Sequence, residues 1–263
     1  MLNFLYLSRY TTPKMLTKNK IKYLKSLLLK KYRLQERKFV VEGDKIVREL
    51  IQSSFQIEAI YASKDWVAEN SDATEAIASI VFESDPKALK SASAMTTASE
   101  VIALVSMPGI DAIKLDPSID FHCYLDGIRD PGNMGTLIRT ASWFGVKQII
   151  CSPDCVDLYN SKVLQSSMGA FLHTQVISID FVSMTNTLIS HKVVGATLSG
   201  ESIIGFKKPT NMVLVIGNEG KGINPKHLEL CDQEITIPKG EGSKIESLNA
   251  AISGAILMSH LHQ

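Results

Sequence analysis

Apolar residues follow two different periods along this chain, and the two periods alternate. Short runs rich in β-branched residues predict strands, whereas longer stretches with apolar residues three or four positions apart predict helices. In the amino-terminal part the predicted strands are 39–41, 57–61, 80–82 and 101–105. The predicted helices there are 17–31, 44–52 and 64–79. This alternation predicts a compact α/β unit of about ninety residues.

The alternation restarts after 106–118, a segment with two prolines, one glycine and no period. The strands predicted beyond it are 121–125, 146–150, 175–179, 193–197, 212–216 and 234–237, and the helices are 134–144, 161–168 and 247–261. Strands that alternate with helices favour a mostly parallel sheet covered on both faces, with ligands beyond the carboxyl ends of the strands. We therefore expect an α/β protein with domains at 14–107 and 120–263 and a linker at 108–119.

Composition narrows the class of protein. The chain has 263 residues, of which 45% are hydrophobic and 21% charged, and this excludes disordered and fibrous classes. Its apolar start is only seven residues long and has no basic segment ahead of it, so we expect no signal peptide, no membrane span and a cytoplasmic protein. The cysteines lack metal-ligand or disulfide-framework spacing, which predicts buried free thiols and no metal site; they are Cys123, Cys151, Cys155 and Cys231.

The net charge of +1 conceals two unlike parts. The first fifty residues hold 13 Lys and Arg against 4 Asp and Glu, and the remaining 213 hold 15 against 23. The densest run, 14–38, has ten basic residues and a single acid, Glu36. Such a run favours partners that carry phosphates, because each cation that neutralises a phosphate releases a counterion. A solvated helix face remains the alternative.

Three loops hold the residue types that chemistry needs. The first, 126–135, runs from a strand into a helix that contains Arg139, and Asn133 could cap that helix. An ordinary capped connection is the alternative, although Arg139 could reach an anion that the loop holds. The second, 217–222, has three glycines around Glu219 and matches neither a Walker loop nor a dinucleotide fingerprint.

The third loop, 237–246, leads into Ser247, Leu248 and Asn249 at the predicted start of the last helix. Capping explains one of the two polar residues there, but not both. The helix itself is apolar on most sides, which favours a central position or a subunit interface.

These three loops, in this order, resemble the signature motifs of the SpoU/TrmH branch of the SPOUT RNA 2′-O-methyltransferases. The matching segments are DPGNMGTLIRTA (130–141), VIGNEGKGI (215–223) and IPKGEGSKIESLNAA (237–251). The segment NSKVLQSSMGAFLH (160–173) resembles the connection between the first two motifs. The basic helix and KFVVEGDKIVREL (38–50) are similar to the substrate-binding domain of the ribosomal RNA members.

The resemblance implies a SPOUT domain with a deep trefoil knot, bound S-adenosylmethionine, and a homodimer whose site draws on both subunits. It also implies structured RNA as the partner, ribosomal more than transfer RNA. By this resemblance the cofactor-binding residues are Gly217, Ile237, Leu248 and, as a weaker candidate, Thr197. The catalytic residues are Arg139, Asn133, Glu219, Ser247 and Asn249. The RNA-binding residues expected in the basic run are Lys18, Lys20, Lys22, Lys25, Arg33 and Arg37.

Arg139 matches the catalytic arginine of the family. An arginine with a pKa above about 12 is protonated at neutral pH and is a poor base. We therefore expect Arg139 to orient an RNA phosphate and to stabilise developing alkoxide charge, while the proton passes to phosphate, water or a transiently neutral guanidine.

The chain departs from the family pattern at a few places. Gln165 replaces a frequent arginine, Arg129 a frequent glutamine, and the third loop is about two residues longer than usual. A transfer RNA methyltransferase and a catalytically silent RNA-binding or assembly factor on the same scaffold remain alternatives.

Overall fold

The computed structural model describes residues 16–109 and 114–261, which separate into one compact unit that ends at Met107 and a second that begins at Pro108. Three sequence predictions fall outside the described residues: the domain start at 14, the middle of the linker at 110–113, and the last two residues of the second domain.

The amino-terminal unit is a four-stranded mixed sheet in the order β1-β4-β2-β3. Strand β4 runs antiparallel to β1 and β2, and β2 runs parallel to β3. The strands are β1 Lys38–Glu42, β2 Ile57–Ala62, β3 Val81–Glu83 and β4 Val101–Ser106. The α-helices are α1 Lys18–Ser26, α2 Lys30–Glu36, α3 Asp44–Ile51, α4 Lys64–Glu69, α5 Ser71–Thr74 and α6 Pro86–Ala92, and a 3-10 helix spans Glu75–Ile80.

Two helices predicted in this unit are interrupted. The stretch 17–31 breaks at Leu29, whose backbone is extended, and the Arg33 guanidinium donates to the carbonyls that α1 leaves free at its end. The stretch 64–79 breaks at Asn70, where φ is −115° and the side chain bonds the Trp66 carbonyl. Helix α6 was not predicted, although Asp85 before Pro86 is a start signal.

The carboxyl-terminal unit is built on six parallel strands in the order β10-β8-β9-β5-β6-β7, as the alternation predicted. They are β5 Phe121–Leu125, β6 Gln148–Cys151, β7 Gln175–Ser178, β8 Lys192–Ser202, β9 Met212–Ile216 and β10 Gln233–Thr236. The α-helices are α7 Pro131–Trp143, α8 Ser161–Ser167, α9 Phe181–Thr187, α10 Pro225–Leu228 and α11 Ala250–Leu261, with a 3-10 helix at Ala170–Leu172. Helices α9 and α10 were missed because each is shorter than the window that periodicity needs.

Helices cover both faces of this sheet. On one face, Phe181 and Met184 of α9 pack against Tyr124 and Val213. On the other, α11 lies against α7 so closely that a Cβ at Gly254 would come within 2.4 Å of Leu137. The sheet is therefore buried between helical layers, and polar chemistry is confined to its edges.

No helix in the described part of the chain combines the length and the apolar character that crossing a bilayer requires. The four cysteines are free, and three of them are buried, as predicted; Cys231 is partly exposed. Burial raises the pKa of Cys123 to about 12, whereas hydrogen bonds from Cys151 and Ser152 lower the pKa of Cys155 to about 7.

Candidate functional site

The three loops singled out in the sequence meet at the carboxyl edge of the parallel sheet. The first follows β5, the second follows β9, and the third follows β10 and leads into α11. Strands β5 and β9 are hydrogen-bonded neighbours, so their loops leave the sheet side by side. Because parallel strands end at one edge, residues far apart in the sequence become neighbours there.

The glycine loop after β9 has a tightly closed geometry. Asn218 and Gly222 exchange two backbone hydrogen bonds of 3.0 and 2.9 Å, and the Asn218 Oδ1 atom accepts from the backbone nitrogen of Gly220 at 3.0 Å. A Cβ at Gly217 would lie 2.2 Å from the Gly222 carbonyl carbon, so only glycine fits there. The Asn218 Nδ2 atom donates to the Gly127 carbonyl at 2.9 Å, which ties the second loop to the first.

Three predicted catalytic residues form one hydrogen-bonded chain. The Asn133 amide donates to a Glu219 carboxylate oxygen, and the Asn249 Nδ2 atom donates to Asn133 Oδ1 at 2.9 Å. Each comes from a different loop, so the chain holds all three loops together. Asn133 does not cap α7, contrary to expectation: Asp130 accepts from the Asn133 backbone nitrogen at 2.8 Å and frees the Asn133 side chain.

Asn249, and not Ser247, caps the last helix; the sequence left the choice between these two residues open. Its Oδ1 atom accepts from the backbone nitrogens of Ala251 and Ile252 at 2.9 and 3.2 Å, and α11 begins directly after it. Ser247 therefore precedes the helix and lies exposed in the loop.

Arg139 is not part of this hydrogen-bonded chain. It lies on the exposed side of α7, six residues beyond Asn133, which corresponds to about 9 Å along a helix axis. Within residues 16–109 and 114–261, its guanidinium makes no hydrogen bond or ion pair. The structure thus brings three of the five predicted catalytic residues into contact and leaves Arg139 and Ser247 outside those contacts.

A cavity of about 690 Å³ opens beside the chain of hydrogen bonds. Its lining includes all four predicted cofactor residues, Thr197, Gly217, Ile237 and Leu248, together with Glu219 and Ser247. The lining also includes the apolar residues Ile216, Ile223, Leu228, Ile235 and Leu257 and the charged residues Lys221, Lys239 and Glu246. Such a lining can hold a ligand that has both an apolar and a charged part.

The first loop also carries Asp126, which the sequence analysis did not single out. This buried carboxylate accepts from the backbone nitrogen of Asn224 at 2.8 Å and lies 3.0 Å from His227 Nδ1. Its own backbone nitrogen donates to Ile216 at 2.8 Å. Asp126 therefore anchors both ends of the glycine loop to β5. A polar residue directly after a buried strand was the available signal.

The predicted RNA-binding residues lie in the amino-terminal unit. Lys18, Lys20, Lys22 and Lys25 are exposed along α1. Arg37 is partly buried, with a left-handed φ of 53°.

Arg33 contradicts its predicted role. It is 2% exposed, and its Nη1 atom donates to the carbonyls of Leu27 and Leu28 at 2.9 and 2.7 Å. A guanidinium that is buried and bonded to backbone carbonyls cannot reach RNA, because it serves the end of α1 instead.

Comparison with known proteins finds a family model for each of the two units. The SpoU rRNA Methylase family model matches residues 120–259, and the MRM3-like substrate binding domain model matches residues 18–103. The 23S rRNA (guanosine(2553)-2′-O)-methyltransferase RlmP of Bacillus subtilis is 29% identical over 245 residues, which is 92% of this chain and 95% of the relative.

Two solved structures share the fold over nearly the whole chain. A TrmH-family protein from Porphyromonas gingivalis superposes with a TM-score of 0.81 at 32% identity, over 93% of this chain and 97% of that one. An AdoMet-bound rRNA methyltransferase from Sinorhizobium meliloti superposes with a TM-score of 0.81 at 24% identity, over 94% and 97% of the two chains. With a family model that matches more than half of its length, the chain belongs to the SpoU rRNA methylase family.

Proposed function

We propose that the protein transfers a methyl group from S-adenosylmethionine to a ribose 2′-hydroxyl of ribosomal RNA. Family membership supports the reaction type, and the Bacillus subtilis relative is named for this reaction on 23S rRNA. The single observation that carries the proposal is the cavity lined by Thr197, Gly217, Ile237 and Leu248, with Glu219 on its wall.

The residues of the cavity fit S-adenosylmethionine. Glycine backbone and aliphatic side chains suit a flat adenosine, and Lys221 and Lys239 suit the carboxylate of its methionine part. The carboxylates of Glu219 and Glu246 suit a cationic group. When bound, this cofactor supplies an electrophilic methyl group on a sulfonium.

We assign a separate role in the reaction to each of the side chains around the cavity. Asn133 and Asn249 hold the Glu219 carboxylate in one orientation at the cavity wall. Ser247 offers a hydroxyl at the same wall. A guanidinium suits anionic partners, so we assign Arg139 to the RNA phosphate and to the charge that develops on the ribose oxygen as its proton leaves.

We further propose a homodimer that completes the site. Helix α11 exposes Ile252 and Ile256, which are 51% and 40% exposed and lie one turn apart. An exposed aliphatic stripe next to Asn249 is suited to a subunit contact. A second copy would bring its own Arg139 to the three-residue chain, with which the Arg139 of the same chain makes no hydrogen bond or ion pair among the described residues.

We propose the trefoil knot of the family for 120–263, a linker at 108–119, and RNA binding for 14–107. The unit boundary after Met107 and the substrate-binding model over 18–103 support this division. The free cysteines support a reducing compartment, the cytoplasm.

The test is to incubate the protein with ribosomal RNA, transfer RNA and labelled S-adenosylmethionine and to map methylation at nucleotide resolution. We expect ribose methylation at one position of ribosomal RNA. Methylation of a base would overturn the reaction type, and methylation of transfer RNA alone would overturn the substrate. Calorimetric binding of S-adenosylmethionine without transfer to either RNA would instead favour a silent binding factor.

A further inference from the structure

One side of the amino-terminal sheet is covered by α1 and α6, which contact each other. Leu24 of α1, Leu27 directly after it, and Leu89 and Ala92 of α6 belong to one buried cluster. The strand residues in that cluster occupy alternate positions: Val40, Ala59, Tyr61, Ile102 and Leu104. Since alternate strand residues point to the same side of a sheet, both helices lie on one side and turn their other faces to solvent.

All the charged residues of these two helices are basic. Helix α1 carries four lysines, α6 carries two, and neither helix contains an acidic residue. We call these six exposed residues the lysine face: Lys18, Lys20, Lys22, Lys25, Lys87 and Lys90.

The helices that connect the strands elsewhere in this unit have more acidic than basic residues. Helices α3, α4 and α5 together hold three basic residues and five carboxylates. One of the three cations, Arg48, is paired with Asp44 at 3.0 Å. The buried residues of α3 lie outside the cluster under α1 and α6, and Trp66 of α4 donates to Asp44 at 2.8 Å, which indicates that α3 and α4 share the other side of the sheet.

We propose that the lysine face binds the phosphate backbone of a base-paired segment of RNA. This inference rests on the proposed function and extends the predicted RNA contacts from α1 to Lys87 and Lys90, which lie more than sixty residues further along the chain. Neutralising a row of phosphates releases counterions, and the carboxylate nearest to these lysines along the two helices is Asp85, whose side chain is engaged in capping α6.

The composition of the face favours paired RNA over a single strand. Proteins that bind single strands place exposed aromatic rings where bases can stack. The only aromatic residue on α1 and α6 is Tyr23, which is partly buried and has the Lys20 Nζ atom 5.5 Å from its ring centroid. Base-paired RNA instead presents phosphates and 2′-hydroxyls across a wide, shallow groove.

The experiment compares two double variants that remove the same charge. Lys87→Gln/Lys90→Gln removes two cations from the lysine face, and Lys45→Gln/Lys64→Gln removes two exposed cations from α3 and α4. Binding of the full chain to a hairpin RNA is measured over a series of salt concentrations. We expect the first variant to bind on the order of tenfold more weakly at 0.1 M salt, with a salt slope reduced by about 1 to 2. The control variant should bind as the parent does.

Equal losses in the two variants would overturn the proposal, because they would report total charge rather than a face. Parent-like binding by the Lys87→Gln/Lys90→Gln variant would overturn it as well. An unpaired RNA of the same length that binds as tightly as the hairpin and loses as much in the first variant would overturn the preference for duplex. The proposal would also be overturned if these substitutions weakened binding to phosphatidylserine vesicles but did not weaken binding to RNA.

The proposed function is checked separately, by methyl transfer from the parent protein. If the parent methylates ribosomal RNA while both double variants bind alike, this inference fails and the proposed function stands. If the parent transfers no methyl group, the proposed function fails, and the binding contrast still decides the RNA-binding face. S-adenosylmethionine affinity should be unchanged in both variants.

Discussion

The two units present their candidate functional residues in opposite ways. In the carboxyl-terminal unit, Asn133, Glu219 and Asn249 hold one another by hydrogen bonds at a cavity wall. In the amino-terminal unit, the lysine face is exposed, and the RNA binding that we propose for it would be a sum over separate charges. The difference teaches that a site built on geometry should respond sharply to one substitution, whereas a charged face should respond gradually and in a salt-dependent manner.

The largest effect is expected at Arg139. An Arg139→Ala protein should lose about 10²- to 10³-fold in the rate of methyl transfer, because charge on the reacting oxygen would no longer be stabilised. Single-turnover methylation with saturating RNA measures this rate. Arg48→Ala, which removes an exposed arginine from α3, is the control and should keep the parent rate. Parent-like methylation by Arg139→Ala with normal RNA binding would disprove the assignment.

The next effect is expected at the glycine loop. In Gly217→Ala the new methyl group would lie 2.2 Å from the Gly222 carbonyl carbon, so the loop must open. We expect S-adenosylmethionine affinity to fall by roughly 100-fold, because the loop forms one cavity wall. Calorimetry measures it. Gly240→Ala is a matched control, since Gly240 also lines the cavity but has open space around it. If both variants bind alike, the close packing of the loop is not what shapes the site.

A smaller effect should follow from loosening the anchor of that loop. Asp126→Ala leaves the Asn224 backbone nitrogen without its carboxylate, which costs about 1 to 3 kcal/mol of folding free energy. We expect KM for S-adenosylmethionine to rise about tenfold, because the loop end is no longer held.

The control for the anchor is Asp232→Ala. Asp232 also accepts a hydrogen bond from a backbone nitrogen, that of Val193 at the start of β8. It forms an ion pair of 2.8 Å with Lys192. Asp232→Ala should lower the free energy of unfolding without raising the KM for S-adenosylmethionine. Urea denaturation and steady-state kinetics separate the two outcomes, and a parallel rise of KM in both variants would show that Asp126 acts only through stability.

The smallest effect concerns acid stability, in which the two units should also differ. All histidines of the chain lie beyond residue 120, so the amino-terminal unit has none. His122 is fully buried, and desolvation, with the charge of nearby His191 second, lowers its pKa from 6.5 to about 4. His122 binds a proton more readily in the unfolded state than in the folded one. Its contribution to the free energy of unfolding is therefore complete above about pH 6.5 and is lost as the pH drops toward 4.

Between pH 7 and pH 5 we expect a loss on the order of 1 to 2 kcal/mol, confined to the carboxyl-terminal unit. Amide hydrogen exchange, corrected for the intrinsic rate at each pH, should show lower protection in β5 and β9 and unchanged protection in β1 and β4. His122→Leu should remove most of the dependence. An equal fall of protection in both units, or the same dependence in the variant, would contradict this assignment.

Patterns along the chain predicted the parallel sheet well and the short elements poorly. The strands 121–125 and 212–216 were predicted to the residue, because each is a mostly or wholly apolar run that ends at a polar loop. The helices predicted at 17–31 and 64–79 are each broken by a side chain that bonds a backbone carbonyl, namely Arg33 and Asn70. Periodicity does not register such competition, because it depends on one hydrogen bond rather than on burial.

The sequence by itself determined the order of strands and helices, the three loops, and the residue types in them. Only the tertiary structure decided which of these residues meet: Asn133, Glu219 and Asn249 are separated by up to 116 positions and touch because parallel strands end at one edge. It also decided that Arg33 is buried while Lys87 and Lys90 are exposed beside α1. Burial and contact depend on how the elements pack together, and local sequence encodes only the tendency to form each element.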